Sequence, residues 1–398
     1  MYKLNKVCMI KRELTEALLR AVKQLPVVAV LGPRQSGKTT IVKAVFANYK
    51  YVALEDPDQR KFATEDPRGF LQTYKNDHGI ILDEFQNVPE ILSYIQSYVD
   101  QEHKPGYFIL TGSQNFLLLE RISQTLAGRI ALLTLLPLSI PELKNSTILP
   151  EDIYGLIFKG EYPRIYAYDI DVVSWYRDYI TTYVERDVRQ VLKIVDLNLF
   201  SDFIQLCAGR IGQILNLSSL ANDCGINVRT AESWLSLLQA SYIIYLLQPH
   251  YANFSKRIIK SPKLYFYDTG VACSLLKIYS QEQLISHYLR GGLFESLIIT
   301  EVMKLFFNNN ERPNVYFWRD NHGNEIDLIL EKNGQLIPIE IKAGRTISTD
   351  FFKGLHFWAN ITENKYPVGC VIFSGDENQK RTIGEVLSWK NISQILKK

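Results

Sequence analysis

Residues 27–40 read VVAVLGPRQSGKTT, an apolar run followed by a loop with two glycines five positions apart and a Lys-Thr pair that opens a helical pattern. This spacing, G-x-x-x-x-G-K-[ST], is that of a phosphate-binding P-loop between a strand and a helix. Glycine accepts backbone angles that a Cβ would forbid, so consecutive N–H groups can turn inward around a phosphate chain. We predict that Lys38 reaches the β- and γ-phosphates of a nucleotide and that Thr39 holds Mg²⁺. The predicted nucleotide-binding residues are Gly32, Pro33, Arg34, Gln35, Ser36, Gly37, Lys38, Thr39 and Thr40.

Composition sets limits on the remaining chain. With 398 residues it is too long for one ordinary core, so two to four domains are expected. A net charge of +3 is too small to indicate a nucleic-acid binder by itself. The five cysteines are scattered without C-x-x-C spacing, which is typical of reduced thiols. Neither a signal peptide nor a membrane-spanning run is evident, so a soluble, cytoplasmic protein with no membrane partner is expected.

A second apolar strand ends in carboxylates. Residues 79–84 read GIILDE, and we predict that Asp83 organises Mg²⁺ through water and that Glu84 polarises the attacking water. The alternative is a strand that merely ends in polar residues. Strands and helices alternate along this part of the chain, which predicts a parallel α/β sheet.

Polar residues after the next strand are candidates for sensing the γ-phosphate. Ser113, Gln114 and Asn115 follow the buried run at 107–111, and ligands bind at the carboxyl ends of parallel strands. A turn with a helix cap explains each of them equally well. Arg129 is an isolated cation before another apolar strand; it is predicted either to reach the γ-phosphate of a neighbouring subunit or to form a salt bridge within its own chain.

Several motifs together carry a family resemblance. They are GPRQSGKTT, GIILDEFQNVPEI, LTGSQNF and TLAGRIALLTLLPLSIPEL, followed by GEYPR at 160–164 and YVERDV at 183–188. As a set they resemble prokaryotic AAA+-superfamily ATPases that join an AAA-type P-loop domain to a DUF4143 C-terminal region. The resemblance implies ATP and Mg²⁺ as cofactors, ATP hydrolysis, and a homo-oligomer in which Arg129 acts across the interface. Arg164 and Arg186 are the candidates for a second sensor arginine.

Residues 217–238 have helix-turn-helix spacing, with Gly225 at the turn. Two alternating runs, at 242–247 and 263–267, then predict a hairpin with cations at its tip, and the combination predicts a winged helix. DNA contact through Arg229 and the tip residues is one interpretation; a packing module is the other. The tip cations are Lys256, Arg257 and Lys260.

The C-terminal region has a candidate metal site of its own. Residues two apart on a strand face one side, so Glu340 and Lys342 are expected to project together, and Asp327 on the adjoining strand can meet them. Two carboxylates can hold a divalent cation, and a lysine can orient or deprotonate water. The pattern resembles the PD-(D/E)xK nuclease core, with Glu295 as its extra acidic residue on the first helix. The alternative is an inherited fold whose charges form a structural ion-pair cluster.

The predicted organisation is an α/β protein in four parts: a P-loop AAA+ ATPase domain (1–145), a helical lid or connection (146–200), a winged-helix domain (201–280) and a restriction-endonuclease-like domain (281–398). We expect an ATP-hydrolysing protein that acts on nucleic acid, with ATP and DNA as partners. A nucleotide-gated regulatory or scaffold protein, with an inactive nuclease fold that recognises a protein or DNA partner, is the alternative.

Overall fold

The computed structural model of the protein describes residues 10–113, 122, 124–183, 196–250, 261–381 and 384–397. Six predicted site residues therefore lie outside the described residues: Gln114, Asn115, Arg186, Lys256, Arg257 and Lys260. Among the described helices, none combines the length and the apolar character needed to cross a membrane.

The N-terminal part is built on a parallel sheet of five strands. They are β1 (Val27–Leu31), β2 (Lys50–Ala53), β3 (Ile80–Asp83), β4 (Phe108–Gly112) and β5 (Ile130–Thr134). Their spatial order is β2-β3-β4-β1-β5, so β1 is an interior strand between β4 and β5. Leu31 is in register with Gly112, and Asp83 with Thr111. Because all five strands run in one direction, the ends of β1, β3 and β4 meet at one edge.

Helices cover both faces of this sheet. They are α1 (Thr15–Ala21), α2 (Lys38–Val45), α3 (Pro57–Glu65), α4 (Pro67–Thr73) and α5 (Ile91–Glu102). Alternate residues of β1 point to opposite faces: Val28 and Val30 pack with α1 and α2, whereas Val27 and Ala29 pack with α4 and α5. The apolar run of β1 is therefore buried on both sides, as in other parallel sheets with helices on each face.

A largely helical middle follows. Its helices are α6 (Ile140–Asn145), α7 (Ile153–Lys159), α8 (Pro163–Ala167), α9 (Val172–Tyr179), α10 (Leu197–Ala208), α11 (Leu217–Cys224) and α12 (Val228–Ala240). Gly225 ends α11 in the left-handed conformation, with φ of 70°. β6 (Ile244–Leu247) and β7 (Lys263–Phe266) then form an antiparallel pair. A helix-turn-helix followed by a two-stranded ribbon is thus present, while its assignment as a winged helix stays a prediction.

The C-terminal part contains a mixed sheet of six strands. Two short helices lead into it, α13 (Thr269–Leu275) and α14 (Gln281–Ser286), followed by the long α15 (Arg290–Asn308). The remaining elements are β8 (Val315–Arg319), β9 (Glu325–Lys332), β10 (Gln335–Lys342), α16 (Lys353–Ile361), β11 (Cys370–Phe373), β12 (Gln379–Arg381) and β13 (Gly384–Ser388). The order is β12-β13-β11-β10-β9-β8. β8, β9 and β10 form an antiparallel meander, and β11 then runs parallel to β10.

The parts after the first sheet share one large core. It contains buried apolar residues between Leu136 and Ile395 and includes α7 to α15 and one face of the second sheet, while two smaller clusters join other residues of that sheet to α16. The first sheet has two clusters of its own, made of residues between Leu14 and Leu135. The predicted boundaries at 200/201 and 280/281 therefore run between units packed on a common core, and as domain limits they stay predictions.

Candidate functional site

The P-loop lies at the carboxyl end of β1, an interior strand of the first sheet. Gly32 follows β1 directly, and a Cβ on it would lie 2.1 Å from the carbonyl oxygen of Leu135. Gly37 has φ of 95° and immediately precedes α2. Both positions therefore exclude a side chain, one by contact and the other by backbone conformation.

Lys38 is buried beneath the loop. Its Nζ donates to the carbonyl oxygens of Gly32 at 3.0 Å and of Pro33 at 2.8 Å. Burial lowers the pKa of Lys38 to about 8, although Glu84 and Asp83 favour its charged form. A cation so close to the glycine loop is suited to bind an anion held by the same loop.

Three hydroxyl groups converge on Asp83, which is buried at the end of β3. Thr39 Oγ1 lies 3.0 Å from each carboxylate oxygen, Tyr51 OH donates at 2.7 Å, and Thr111 Oγ1 donates as well. Tyr51 lies on β2 and Thr111 on β4, the two neighbours of β3. Neither residue was predicted from the sequence, although their positions near the ends of adjacent parallel strands could have indicated them.

Glu84 has the left-handed backbone conformation, with φ of 54°. This costs a residue other than glycine about 1–2 kcal/mol and is frequent at functional sites. Gln86 donates its side-chain amide to the Glu84 carboxylate, and Glu84 lines the cavity next to the P-loop. The strained turn therefore directs a carboxylate toward the P-loop instead of continuing the strand.

Two buried serine oxygens have no hydrogen-bond partner among the described residues. They are the Oγ atoms of Ser36, within the P-loop, and of Ser113, just after β4. Buried polar atoms are almost always paired in folded proteins. Two such atoms at the edge that carries Lys38 and Asp83 therefore fit a site that receives a polar ligand.

A cavity of about 750 Å³ opens beside the P-loop. Its polar lining includes residues of the P-loop, Glu55 and Glu84. Its apolar lining includes Ile10, Ala44, Val45, Leu138, Pro163, Ala167 and Tyr168. Arg164, a candidate second sensor, also lines this cavity.

Arg12 is a buried residue of the same cavity that the sequence analysis missed. Its guanidinium donates to the carbonyl oxygens of Ser36 at 2.6 Å and Leu136 at 2.7 Å, and to Glu142 Oε1 at 3.0 Å. It thereby ties the P-loop to the segment that follows β5. No local motif marks it, since the partners of its guanidinium outside the P-loop are more than 100 residues away.

Arg129 lies at the opposite edge of the first sheet. Its carbonyl oxygen accepts from Val27 N at the start of β1, whereas the P-loop follows the end of that strand, roughly 13 Å further on. The guanidinium makes a bidentate pair with Asp100, with distances of 2.5 and 3.1 Å. The geometry includes the predicted intrachain salt bridge, and a role toward a neighbouring subunit stays a prediction.

A carboxylate cluster lies in the C-terminal part. Oxygens of Glu295, Glu325 and Asp327 lie within 4.8 Å of one another. Lys263, from β7, contacts Glu295 at 2.9 Å and also pairs with Glu325. Burial raises the pKa of Glu295 to about 7, and Lys263 opposes this shift. The sequence analysis did not anticipate Glu325 or Lys263.

Lys342 joins this cluster to Glu340. Its Nζ lies 3.0 Å from Asp327 Oδ2 and also pairs with Glu340. Burial and the neighbouring Asp327 raise the pKa of Glu340 to about 8, against the effect of Lys342. For Asp327 the burial is outweighed by Lys342 and Lys263, which lower its pKa. Asp327 thus belongs both to the group of three carboxylates and to a contact with Glu340, and the assignment of Asp327 and Glu340 as metal ligands stays a prediction.

Of the four residues predicted to contact DNA, only Arg229 lies within the described part of the chain. Arg229 is exposed near the start of α12.

Three family models match successive parts of the chain. Residues 24–144 match an AAA domain, residues 150–282 match a domain of unknown function (DUF8612), and residues 290–392 match another domain of unknown function (DUF4143). The AAA-type and DUF4143 parts of the sequence-based resemblance are confirmed. The protein is an α/β protein with a parallel-sheet, P-loop ATPase-like N-terminal domain and a separate mixed-sheet C-terminal domain.

Similar proteins and structures include the following. Uncharacterised proteins of Mycobacterium tuberculosis and Mycobacterium bovis are each 29% identical over 345 residues, covering 86% of this chain and 76% of theirs. The Walker-type ATPase of Pyrococcus abyssi is 14% identical over 69% of this chain and 98% of its own, with a TM-score of 0.46. The RuvB Holliday junction branch migration motor of Thermotoga maritima is 18% identical over 58% and 88%, with a TM-score of 0.31.

Proposed function

We propose that this protein binds ATP with Mg²⁺ in the cavity beside the P-loop and hydrolyses it. The observation that carries the proposal is the meeting of Lys38, Thr39, Asp83 and Glu84 at one edge of the sheet, next to a cavity of about 750 Å³. A volume of this size suits a nucleotide. The match of residues 24–144 to an AAA domain supports the same conclusion.

The residues present fit Mg²⁺. The Thr39 hydroxyl and the Asp83 carboxylate are oxygen donors, the type that Mg²⁺ prefers, and their oxygens are 3.0 Å apart. When bound, Mg²⁺ supplies charge neutralisation at the phosphate oxygens. Thr39 is the proposed direct ligand, and Asp83 is proposed to act through water.

The remaining roles follow from position. Lys38 and the backbone N–H groups of the P-loop are proposed to hold the phosphates, and Glu84 to accept the proton of the attacking water. Ser113 carries a buried unpartnered oxygen, which supports its role as a phosphate sensor. Arg164 lines the cavity from α8 and is the better supported second sensor.

The test is a comparison of nucleotide binding and hydrolysis in three proteins. Wild type should bind and hydrolyse ATP in the presence of Mg²⁺. Lys38→Ala should lose binding, whereas Glu84→Gln should bind and not turn over. A wild-type protein that binds no nucleotide would refute the proposal.

A second activity, metal-dependent cleavage of DNA, is proposed for the C-terminal cluster. It is favoured by the meeting of Glu295, Glu325 and Asp327 within 4.8 Å, beside Lys342. The order of helix, three-stranded meander, helix and parallel strand also resembles the PD-(D/E)xK core, which supports the proposal. Because Lys263 and Lys342 already pair with these carboxylates, a structural ion cluster is the competing explanation.

Action on nucleic acid is proposed for the whole protein, with Arg229 and the hairpin cations as DNA contacts. ATPase rates with and without DNA test it: strong stimulation that falls as salt rises supports the proposal. Indifference to DNA favours the alternative, a nucleotide-gated regulatory or scaffold protein whose C-terminal fold recognises a partner.

A further inference from the structure

Lys304, on α15, lies at the point where the three matched regions of the chain meet. Its Nζ donates to the carbonyl oxygen of Leu138 at 2.8 Å, to Glu161 at 2.5 Å and to Glu301 at 2.8 Å. Leu138 belongs to the AAA match, Glu161 to the DUF8612 match and Lys304 to the DUF4143 match. All three charged side chains are at most 1% exposed. The ammonium is therefore a buried junction between regions and not a surface ion pair.

The partners of Lys304 lead directly to the wall of the nucleotide cavity. Leu138 itself lines that cavity, and its N–H donates to the carbonyl oxygen of Glu161 at 2.8 Å. Pro163 and Arg164, two and three residues after Glu161, line it as well. Glu301 accepts from the N–H of Ile140 at 2.7 Å, which fixes the same segment two residues further along.

Further contacts at Gly160 and at the backbone of Glu161 also fix the GEYPR motif, residues 160–164. A Cβ at Gly160 would lie 1.9 Å from the hydroxyl of Tyr176, and φ there is 62°, so only glycine fits. The N–H of Glu161 donates to Asp268, a buried residue, at 2.7 Å. With little freedom left to the backbone of this motif, the position of Arg164 depends on where Glu161 is held.

We propose that Lys304 is a positioning residue of the nucleotide cavity. By holding Leu138 and Glu161 together, it fixes the two segments that present Leu138, Pro163 and Arg164 to the nucleotide. The same helix, α15, also carries Glu295 of the carboxylate cluster. The expected effect on nucleotide affinity rests on the proposed nucleotide binding, whereas the positioning of the cavity wall does not.

The ammonium of Lys304 is protonated at neutral pH, which strengthens its bonds to the two carboxylates. Burial disfavours the ammonium, but Glu161 and Glu301 outweigh it and raise the pKa of Lys304. The residue is therefore charged at neutral pH and able to donate to all three partners.

The experiment compares three variants with wild type by hydrogen exchange and by MgATP binding. Lys304→Met keeps the length of the side chain and removes the ammonium. Lys304→Met also leaves buried carboxylates without a cation, which destabilises the fold. The second variant therefore combines Lys304→Met with Glu161→Gln, which removes one of these charges. The control is Lys353→Met, which removes an exposed pair with Asp350 on another helix.

In the nucleotide-free protein, both Lys304 variants should lose amide protection at residues 138–140 and 160–164 by about tenfold or more, while β1 and β4 keep theirs. Their affinity for MgATP should fall by about tenfold or more, and the control should match wild type. Wild-type protection and affinity in both Lys304 variants would overturn the inference, as would full recovery in the double variant. If wild type binds no nucleotide, the proposed function fails, and the exchange measurement still decides whether Lys304 positions the cavity wall.

Discussion

Thr39 Oγ1 lies 3.0 Å from both carboxylate oxygens of Asp83, so the first turn of α2 is joined to the end of β3. The same carboxylate accepts from Tyr51 on the adjacent strand at 2.7 Å. Two oxygen donors suited to Mg²⁺ are thus aligned by a network that the protein provides on its own. Glu84, the next residue, has a left-handed backbone that directs its carboxylate away from this network. Asp83 can therefore serve Mg²⁺ while Glu84 serves the attacking water.

Glu84→Gln should lower the rate of ATP hydrolysis by roughly 10²- to 10⁴-fold, the usual effect of removing a general base. Affinity for MgATP should stay close to that of wild type, because the amide retains the size of the carboxylate. Single-turnover kinetics together with equilibrium binding measure both effects. Unchanged turnover would remove Glu84 from the catalytic role.

Arg129→Ala should reduce hydrolysis only through subunit contacts. In mixtures with Lys38→Ala, the rate should depend on which subunit lacks which residue, since a finger and a P-loop from different chains form one site. Asp100→Asn is the matched control because it breaks the same salt bridge and keeps the arginine. Equal effects of the two single changes would indicate that the salt bridge alone matters.

Asp327→Asn, Glu340→Gln and Lys342→Ala should each abolish any metal-dependent DNA cleavage and leave ATP hydrolysis intact, because the two sites share no residue. The assay uses the full chain, since a fragment beginning at Gln281 lacks Lys263 and its pair with Glu295. Loss of thermal stability in Asp327→Asn, without cleavage by wild type under any divalent metal, would identify the cluster as structural.

Glu340→Gln should become more stable relative to wild type as the pH rises from about 5 to 8. The buried glutamate has a pKa of about 8, against an ordinary value of 4.5. Within that window the folded protein keeps a proton that the unfolded chain has released, so the contribution of Glu340 to stability falls as the pH rises. We expect a difference on the order of 1–3 kcal/mol in the free energy of unfolding, measured by denaturant titration.

The exposed Glu363→Gln is the control for this titration. A difference between Glu340→Gln and wild type that stays constant over the whole pH range would contradict the assignment of the raised pKa to Glu340.

The first sheet and its site could be predicted because their signals are local. The P-loop, Asp83 and Glu84 lie within short segments whose residue types and spacing are dictated by backbone geometry. The parallel arrangement followed from the alternation of strands and helices, and it was confirmed.

The residues that were missed interact over long sequence distances. Arg12 contacts Glu142, 130 positions away, and Lys304 contacts Glu161, 143 positions away. Lys263 lies on a strand whose pattern indicated a hairpin, and nothing in that pattern shows that its side chain enters a cluster built on α15 and β9. Such contacts depend on how the units pack together, which periodicity within one unit cannot reveal.

The large core that contains residues from Leu136 to Ile395 affects how the chain can fold during synthesis. The first sheet needs only residues up to Leu135 for its two clusters, so it can fold while the rest is still being made. Helix α7 leaves the ribosome next, but it packs on α13, α14 and α15, and α15 is covered in turn by the segment that contains Trp389, Ile392 and Ile395. Until α15 has been made, Glu161 lacks Lys304, and a chain that stops short of Ile395 should present an incompletely packed middle to chaperones and proteases.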